Sequence, residues 1–484
     1  MLLIGNTGLH WMKSIVNSCL SPVWFVVIVI FAMVGCQADL FEAQRAYQNG
    51  DVASAATQIT AYRKQVGNNQ HAVIALLESG SILQAANDLE ASSAALEEAE
   101  AKFETLDDNQ AGRAGDEVLS ALTNPQEVAY LGKPYDRVMS PIYRAINLMA
   151  AGSTAEARQA FFASQNWQAR AINHYEKLID EADAELTDKQ KKQSKRVQED
   201  EQLQQKLQDI YGDLDIYEAY EGYSNPFADM LFAVYLMGTQ TDRSDGELAR
   251  NHMRRVAGMN PGNTFVAGEL DRADDASKGN KQAPAVHVFF MTGTAPSRSE
   301  INIGLPLFLV VGGGNLNYAG VAFPQLEFND RYVKRAVVKS RGEKVETQLI
   351  ADFDRIVGAA FKADLPVQIT RTIVGAIAKA SAAYGINKAA QGENDTVHTI
   401  AQIATFLYQA AQNQADKRTW ATLPKQVQYA RVPIPAAGNP VKITGPNGGM
   451  LWEAQGLSRD RTHLVLIRSI VPGTQPWVTH VELQ

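Results

Sequence analysis

In the first half of the chain a residue that tolerates left-handed backbone recurs with a small residue five positions after it: Gly50 then Ala55, Asn87 then Ser92, Gly152 then Ala157. Glycine and asparagine end helices by taking the left-handed conformation at low cost, and a small side chain lets the next helix approach closely. From Leu40 to about Pro261, Ala and Leu recur at helical spacing and strand signals are almost absent. The pattern predicts a succession of helix–turn–helix hairpins. A lone hairpin cannot bury its apolar stripe, so at least three hairpins are needed to bury a continuous stacking face.

This is the grammar of tetratricopeptide-like repeats. The turn Asn260-Pro261-Gly262-Asn263 follows the helix expected from Leu248 to Ala257, where such repeats break before the next unit. Because the spacing between units is irregular, residues 36–267 are expected to form a degenerate α-solenoid. Within it, Ile179 to Asp215 carries Lys189-Gln190-Lys191-Lys192-Gln193-Ser194-Lys195-Arg196 and then Glu199-Asp200-Glu201, sign blocks that suit a solvated helix or helical hairpin. Residues 268–284 are polar without an apolar period and read as a linker.

Beyond it the composition changes. Ala285 to Met291 is a buried-strand pattern, with further strands expected near Ile301 to Val311 and Tyr318 to Phe328. Helices follow over Ala351 to Ala383, interrupted by Pro366, and over Thr396 to Gln414. Strands return at Gln426 to Val432, His463 to Ser469 and Trp477 to Leu483. The whole chain is thus expected to be α+β, with residues 285–484 a mixed, mostly antiparallel α+β domain.

Residues 1–35 read as an export signal: Lys13 after a start at Met12, an apolar Val23 to Ile30, then Phe31-Ala32-Met33-Val34-Gly35-Cys36, which resembles a bacterial lipoprotein acylation site. Met33 stands where Leu is usual. The apolar run is shorter than the roughly 20 residues of a spanning helix, and no charged stop-transfer flank follows it. Acyl chains on Cys36, at about 0.8 kcal/mol per buried methylene, would anchor the mature protein. Gln37, where Asp would resemble the inner-membrane retention signal, points to the periplasmic face of the outer membrane.

The formal charge of −8 becomes −9 once Lys13 leaves with the signal, which excludes an electrostatic nucleic-acid binder. Lipidation of Cys36 would consume the mature region's one thiol and leave no disulfide. His10, His71, His174, His252, His287, His398, His463 and His480 each stand alone, so a metal site would need scattered ligands. Neither a metal nor a cofactor is expected. No Gly-x-Ser-x-Gly, Ser-x-x-Lys, His-Glu-x-x-His or Walker motif occurs, and no catalytic residue is assigned. Gly312-Gly313-Gly314-Asn315 is followed by strand-like sequence, so a flexible hairpin is favoured over an anion cradle. Arg418-Thr419-Trp420 suits stacking on a sugar ring, against the alternative of a helix-exit corner where Trp420 packs and Arg418 pairs with a carboxylate. Asp136 and Arg137, beside Tyr135, are either a polar site or a salt bridge inside the helical layer.

Tyr130-Leu131-Gly132-Lys133-Pro134-Tyr135-Asp136-Arg137-Val138 with Tyr143-Arg144-Ala145-Ile146-Asn147 resembles a family of Gram-negative envelope lipoproteins. Ser224-Asn225-Pro226-Phe227-Ala228 with Tyr235-Leu236-Met237-Gly238, Asp416 to Pro424, and Leu464 to Arg468 carry the same resemblance across the mature chain. Asp136 departs from the family's Glu, and Ala157 to Phe161 has less Arg than its members. The resemblance implies tetratricopeptide-type helices joined to a C-terminal mixed domain, and genes neighbouring the lipoprotein that activates penicillin-binding proteins. It supplies no catalytic residues.

The leading expectation is therefore a non-enzymatic, outer-membrane-anchored scaffold for an envelope protein partner, a peptidoglycan synthase or its activator. Tyr130, Tyr135, Arg137 and Tyr143 are its candidate groove residues, since aromatics and Arg are enriched at interface hot spots. The alternative is a glycan- or lipid-binding module around Arg418 and Trp420. A third reading is a hydrolase with loop-assembled carboxylates.

Overall fold

The computed structural model describes residues 39–110, 126, 128–172, 180, 184, 186–217, 224–310, 319–389, 415–436 and 438–483. Cys36 and its leader, the Gly312-Gly313-Gly314-Asn315 run and the helix expected over residues 396–414 lie outside them. Three hairpins open the fold: α1 (Leu40–Gln48) with α2 (Val52–Val66), α3 (Ala72–Ala85) with α4 (Leu89–Gln110), and α5 (Pro134–Ala150) with α6 (Thr154–Ala171). They turn at Gly50, Asn87 and Gly152, whose φ angles are +83°, +64° and +79°. Ala55, Ser92 and Ala157 are fully buried at the paired helix contacts, as the spacing predicts.

The charged stretch forms a second kind of hairpin, α7 (Asp188–Gln198) and α8 (Glu201–Tyr211), with its lysines outward. Thr187 and Gln190 form a capping box on α7, and Asp200 caps α8. Val197 and Leu203 dock this hairpin on Ile303, Phe323 and Ile373 of the C-terminal half. Then come α9 (Pro226–Gly238), α10 (Arg243–Met259) and α11 (Thr264–Ala276).

Helix α11 occupies half of the expected linker. Its buried positions, Val266, Glu269, Ala273 and Ala276, do follow helical spacing. Those inside the expected linker are two alanines and a glutamate rather than large apolar residues, so the hydrophobic period is silent there where the packing period is not.

The C-terminal half holds a five-stranded sheet in the order β11-β10-β1-β7-β6 and a four-stranded sheet in the order β5-β4-β8-β9, with a β2–β3 hairpin to one side. The strands are β1 (Ala285–Thr292), β2 (Ser297–Leu305), β3 (Ala319–Glu327), β4 (Val337–Ser340), β5 (Glu343–Glu346), β6 (Gln348–Asp352), β7 (Gln426–Pro433), β8 (Val441–Thr444), β9 (Met450–Ala454), β10 (Thr462–Ser469) and β11 (Trp477–Leu483). Only β1 and β10 pair in parallel among the described strands. Helix α12 (Phe353–Ala389) runs through Pro366 without ending there, contrary to the expected interruption.

Side-chain alternation explains the layering. On β1 and β10, Phe289, Met291, Leu464 and Leu466 face the helices, while Val286, Val288, Phe290, Val465 and Ile467 face the four-stranded sheet. Both faces are covered, so these strands read as unbroken apolar runs. The protein is α+β, as expected; the sheet half has one apolar cluster of its own between its two sheets, and the helical half shares its core with the other face of the five-stranded sheet. One apolar cluster runs from Leu40 to Leu483, and a Cβ on Gly238 of α9 would strike Leu483 of β11. The boundary at residues 268–284 is a change of secondary structure inside a single packed body.

Candidate functional site

The sequence candidates from both halves converge. Residues 415–425, between α12 and β7, carry no regular secondary structure and thread along α1, α3 and α5. Glu78 of α3 is the centre of this contact. It is fully buried and accepts from Gln44 Nε2 at 2.7 Å, from the Ala421 amide at 2.8 Å and from the Thr422 hydroxyl. Gln44 Nε2 also donates to the Thr419 carbonyl at 3.0 Å. Burial pushes the Glu78 carboxyl up to about 7, with the three donors acting against it.

Trp420 lies beside Glu78, fully buried, its indole donating to Ser81 Oγ at 2.9 Å and its ring 5.5 Å from that of Tyr143. Arg418 is also buried. It donates to the carbonyl of Val128 at 2.7 Å, pairs with Asp416 at 2.8 Å and sits 5.5 Å from the Tyr130 ring centre. Burial alone would raise Asp416, but the Arg418 guanidinium beside it holds its carboxyl below the ordinary range. The alternative placed at Arg418 and Trp420 is therefore corrected: both are buried, Trp420 packs and Arg418 pairs with a carboxylate, while the helix that the corner reading has them exit lies outside the described residues.

The four groove residues are corrected in the same way. Tyr130, Tyr135, Arg137 and Tyr143 are all buried, and the chain itself covers them. Tyr130 donates to Asp136 Oδ2 at 2.6 Å, and the Tyr135 hydroxyl lies 3.2 Å from Thr419 Oγ1. Asp136 also accepts from the Lys133 amide at 2.8 Å, and burial raises its carboxyl to about 6. Arg137 does not pair with Asp136. It forms a bidentate pair with Asp107 at 2.7 and 2.8 Å and packs between the rings of Phe103 and Trp167.

Sequence reasoning missed Glu78, Gln44, Ser81 and Arg468. Arg468, at the end of β10, is fully buried, lies 5.5 Å from the Tyr47 ring centre and donates to the Thr422 carbonyl at 3.1 Å. A usable signal did exist. Ala72 to Ala85 is apolar or small on every side, so its one charge, Glu78, had to be buried with partners. Leu464 to Ile467 makes the same argument for Arg468.

Chemically, the site joins a layer of helices to an extended peptide through its backbone groups and one aromatic anchor, with the chain's own residues 415–425 as the peptide. A cleft of about 580 Å³ between α8 and α12, lined by Gln204, Gln208, Tyr211, Leu365 and Ile369, includes none of these residues. Comparison with protein-family models, curated proteins and solved structures gives no match to the chain.

Proposed function

We propose that the chain is a membrane-tethered, non-enzymatic scaffold that holds a protein partner in bacterial cell-envelope assembly. The observation that carries this reading is that the buried polar groups of the helical layer close onto residues 415–425. Their chemistry is spent on holding two halves in one rigid body, which suits a platform better than a substrate site. Partner contact then belongs to the outer faces of the hairpins, not to Tyr130, Tyr135, Arg137 or Tyr143.

The acylation-site pattern at Cys36 supports the tether. Only Gln37 and Ala38 separate it from Asp39, which caps α1 by accepting from the Phe41 amide. Three residue steps span about 10 Å at most, so an acylated Cys36 would hold the body against the bilayer surface. Among the described residues no helix is long and apolar enough to cross a membrane. Gln37, where Asp would resemble the inner-membrane retention signal, supports the outer membrane as the address, and the family resemblance noted above supports a peptidoglycan synthase or its activator as the partner class.

Crosslinking in intact cells, with capture of the wild type and of Cys36→Ser, tests this. Synthases or activators recovered only with the wild type are expected. Recovery of the wild type from the soluble fraction with an unmodified Cys36, or capture free of any envelope protein, would overturn the reading.

A further inference from the structure

Strand pairing brings together histidines that stand far apart in the sequence. β10 and β11 are antiparallel with His463 opposite Glu482 and Val465 opposite His480, so His463, His480 and Glu482 share one face. That face is turned toward the four-stranded sheet, with His480 half-buried and Glu482 exposed. His463 Nδ1 lies 3.0 Å from His480 Nε2 and 3.8 Å from Glu482 Oε1, and the three atoms all fall within 4.8 Å of one another.

Each of the three is oriented from behind. His463 is fully buried, and its Nε2 lies 2.8 Å from the Ser458 carbonyl. A carbonyl can only accept, so that nitrogen carries the proton and Nδ1 keeps its lone pair toward the other two groups. The His480 ring lies edge to edge with that of His463, nearly parallel to it, with centres 5.2 Å apart and the facing nitrogens 3.0 Å apart, and it meets Trp452 of β9 edge-on at 5.4 Å. Arg461 approaches the other oxygen of Glu482, Oε2, at 3.7 Å. A histidine whose second nitrogen is held by a backbone carbonyl is the usual outer arrangement of an imidazole metal ligand.

We propose that His463, His480 and Glu482 bind one divalent transition-metal ion of the Zn²⁺ class. Two imidazole nitrogens and a carboxylate oxygen match the ligand preference of Zn²⁺. Bonds of about 2.0–2.1 Å at a tetrahedral angle put neighbouring ligand atoms about 3.3 Å apart. The 3.0 and 3.8 Å separations bracket that value, and a rotation of the half-buried His480 ring with a swing of the exposed Glu482 side chain would turn all three lone pairs onto one ion. Three protein ligands leave a fourth position for water on the solvent side. The ion would tie the edge strand β11 to β10.

The test is titration of the full chain, purified without a histidine tag and stripped with chelator, with Zn²⁺ by calorimetry and with Co²⁺ by visible absorption. One equivalent is expected, with the intense absorption of four-coordinate Co²⁺. His480→Gln and Glu482→Gln, both at positions reached by solvent, should each weaken binding by more than the roughly 10–100-fold that loss of an outer partner costs. Both should match the metal-free wild type in circular dichroism and melting temperature. Absence of a stoichiometric site in the wild type, or unchanged affinity in both variants, would show that the two histidines simply hydrogen-bond to each other.

Discussion

Replacing Glu78 by glutamine tests the central contact at its most specific point. Burial raises this carboxyl from an ordinary 4.5 to about 7, against three donors that favour its charged form. The folded state therefore binds the proton more tightly than the unfolded chain does. Glu78's contribution to stability is fully present below the unfolded value and is lost as pH rises through about 7. At 1.36 kcal/mol per pKa unit, the loss amounts to about 3 kcal/mol. Glutamine has nearly the same shape and no charge. Its oxygen can keep the bonds from Gln44 and the Ala421 amide, and its amide can donate to the Thr422 hydroxyl, which turns toward Ser81 Oγ. Urea unfolding of both proteins from pH 5 to pH 8, followed by tryptophan fluorescence, should show Glu78→Gln gaining about 2.5 kcal/mol on the wild type across that range, the remainder being lost already below pH 5. A difference that stays flat with pH would refute the reasoning, because it would mean that the surrounding donors hold the carboxylate charged throughout.

Trp420→Ala should cost about 3–5 kcal/mol in chemical denaturation, since it empties a fully buried site against Tyr143 and removes the donor to Ser81. Unchanged stability with loss of glycan retention would restore the sugar-stacking role. Two glycines of α10 should respond with opposite signs. A Cβ at Gly246 would overlap the Ala276 carbonyl, so Gly246→Ala should destabilise by about 1–3 kcal/mol, whereas Gly258 faces open space and Gly258→Ala should stabilise by about 0.5–1 kcal/mol. Melting of the two variants side by side checks both signs. Cys36→Ser should abolish labelled-palmitate incorporation and move the protein from the membrane to the soluble fraction; continued membrane association would place the anchor elsewhere.

The elements that could be read from the sequence are those whose cause is local. Gly50, Asn87 and Gly152 turn the chain wherever they stand, because a left-handed residue needs no distant partner. The runs that became β1 and β10 were legible because strands buried on both faces are apolar throughout. β4, β5, β6, β8 and β9 were not, since runs of four or five residues are too short for a strand period to stand out, whether mostly buried as in β4 and β8 or mostly exposed as in β5 and β9. Helix α11 was mistaken for a linker because its core positions from residue 268 onward are alanines and Glu269, a glutamate buried while pairing with Arg431 at 2.5 Å.

For the site, the sequence marked several of the right residues and misjudged which way they face. Tyr130, Tyr135, Arg137, Tyr143, Arg418 and Trp420 carry chemistry that an interface would use, and residue type cannot say whether the interface is with another molecule or within this one. That was decided when residues 415–425 filled the helical layer, nearly 350 positions after Glu78, through the bonds to Ala421 and Thr422. The pairing of His463 with His480 was decided in the same manner, by strand register. Turns, helix stripes and buried strands come from short-range conformational preference and were present in the sequence itself; which buried polar groups meet depends on contacts between distant segments, and those exist only once the chain has closed around a common core.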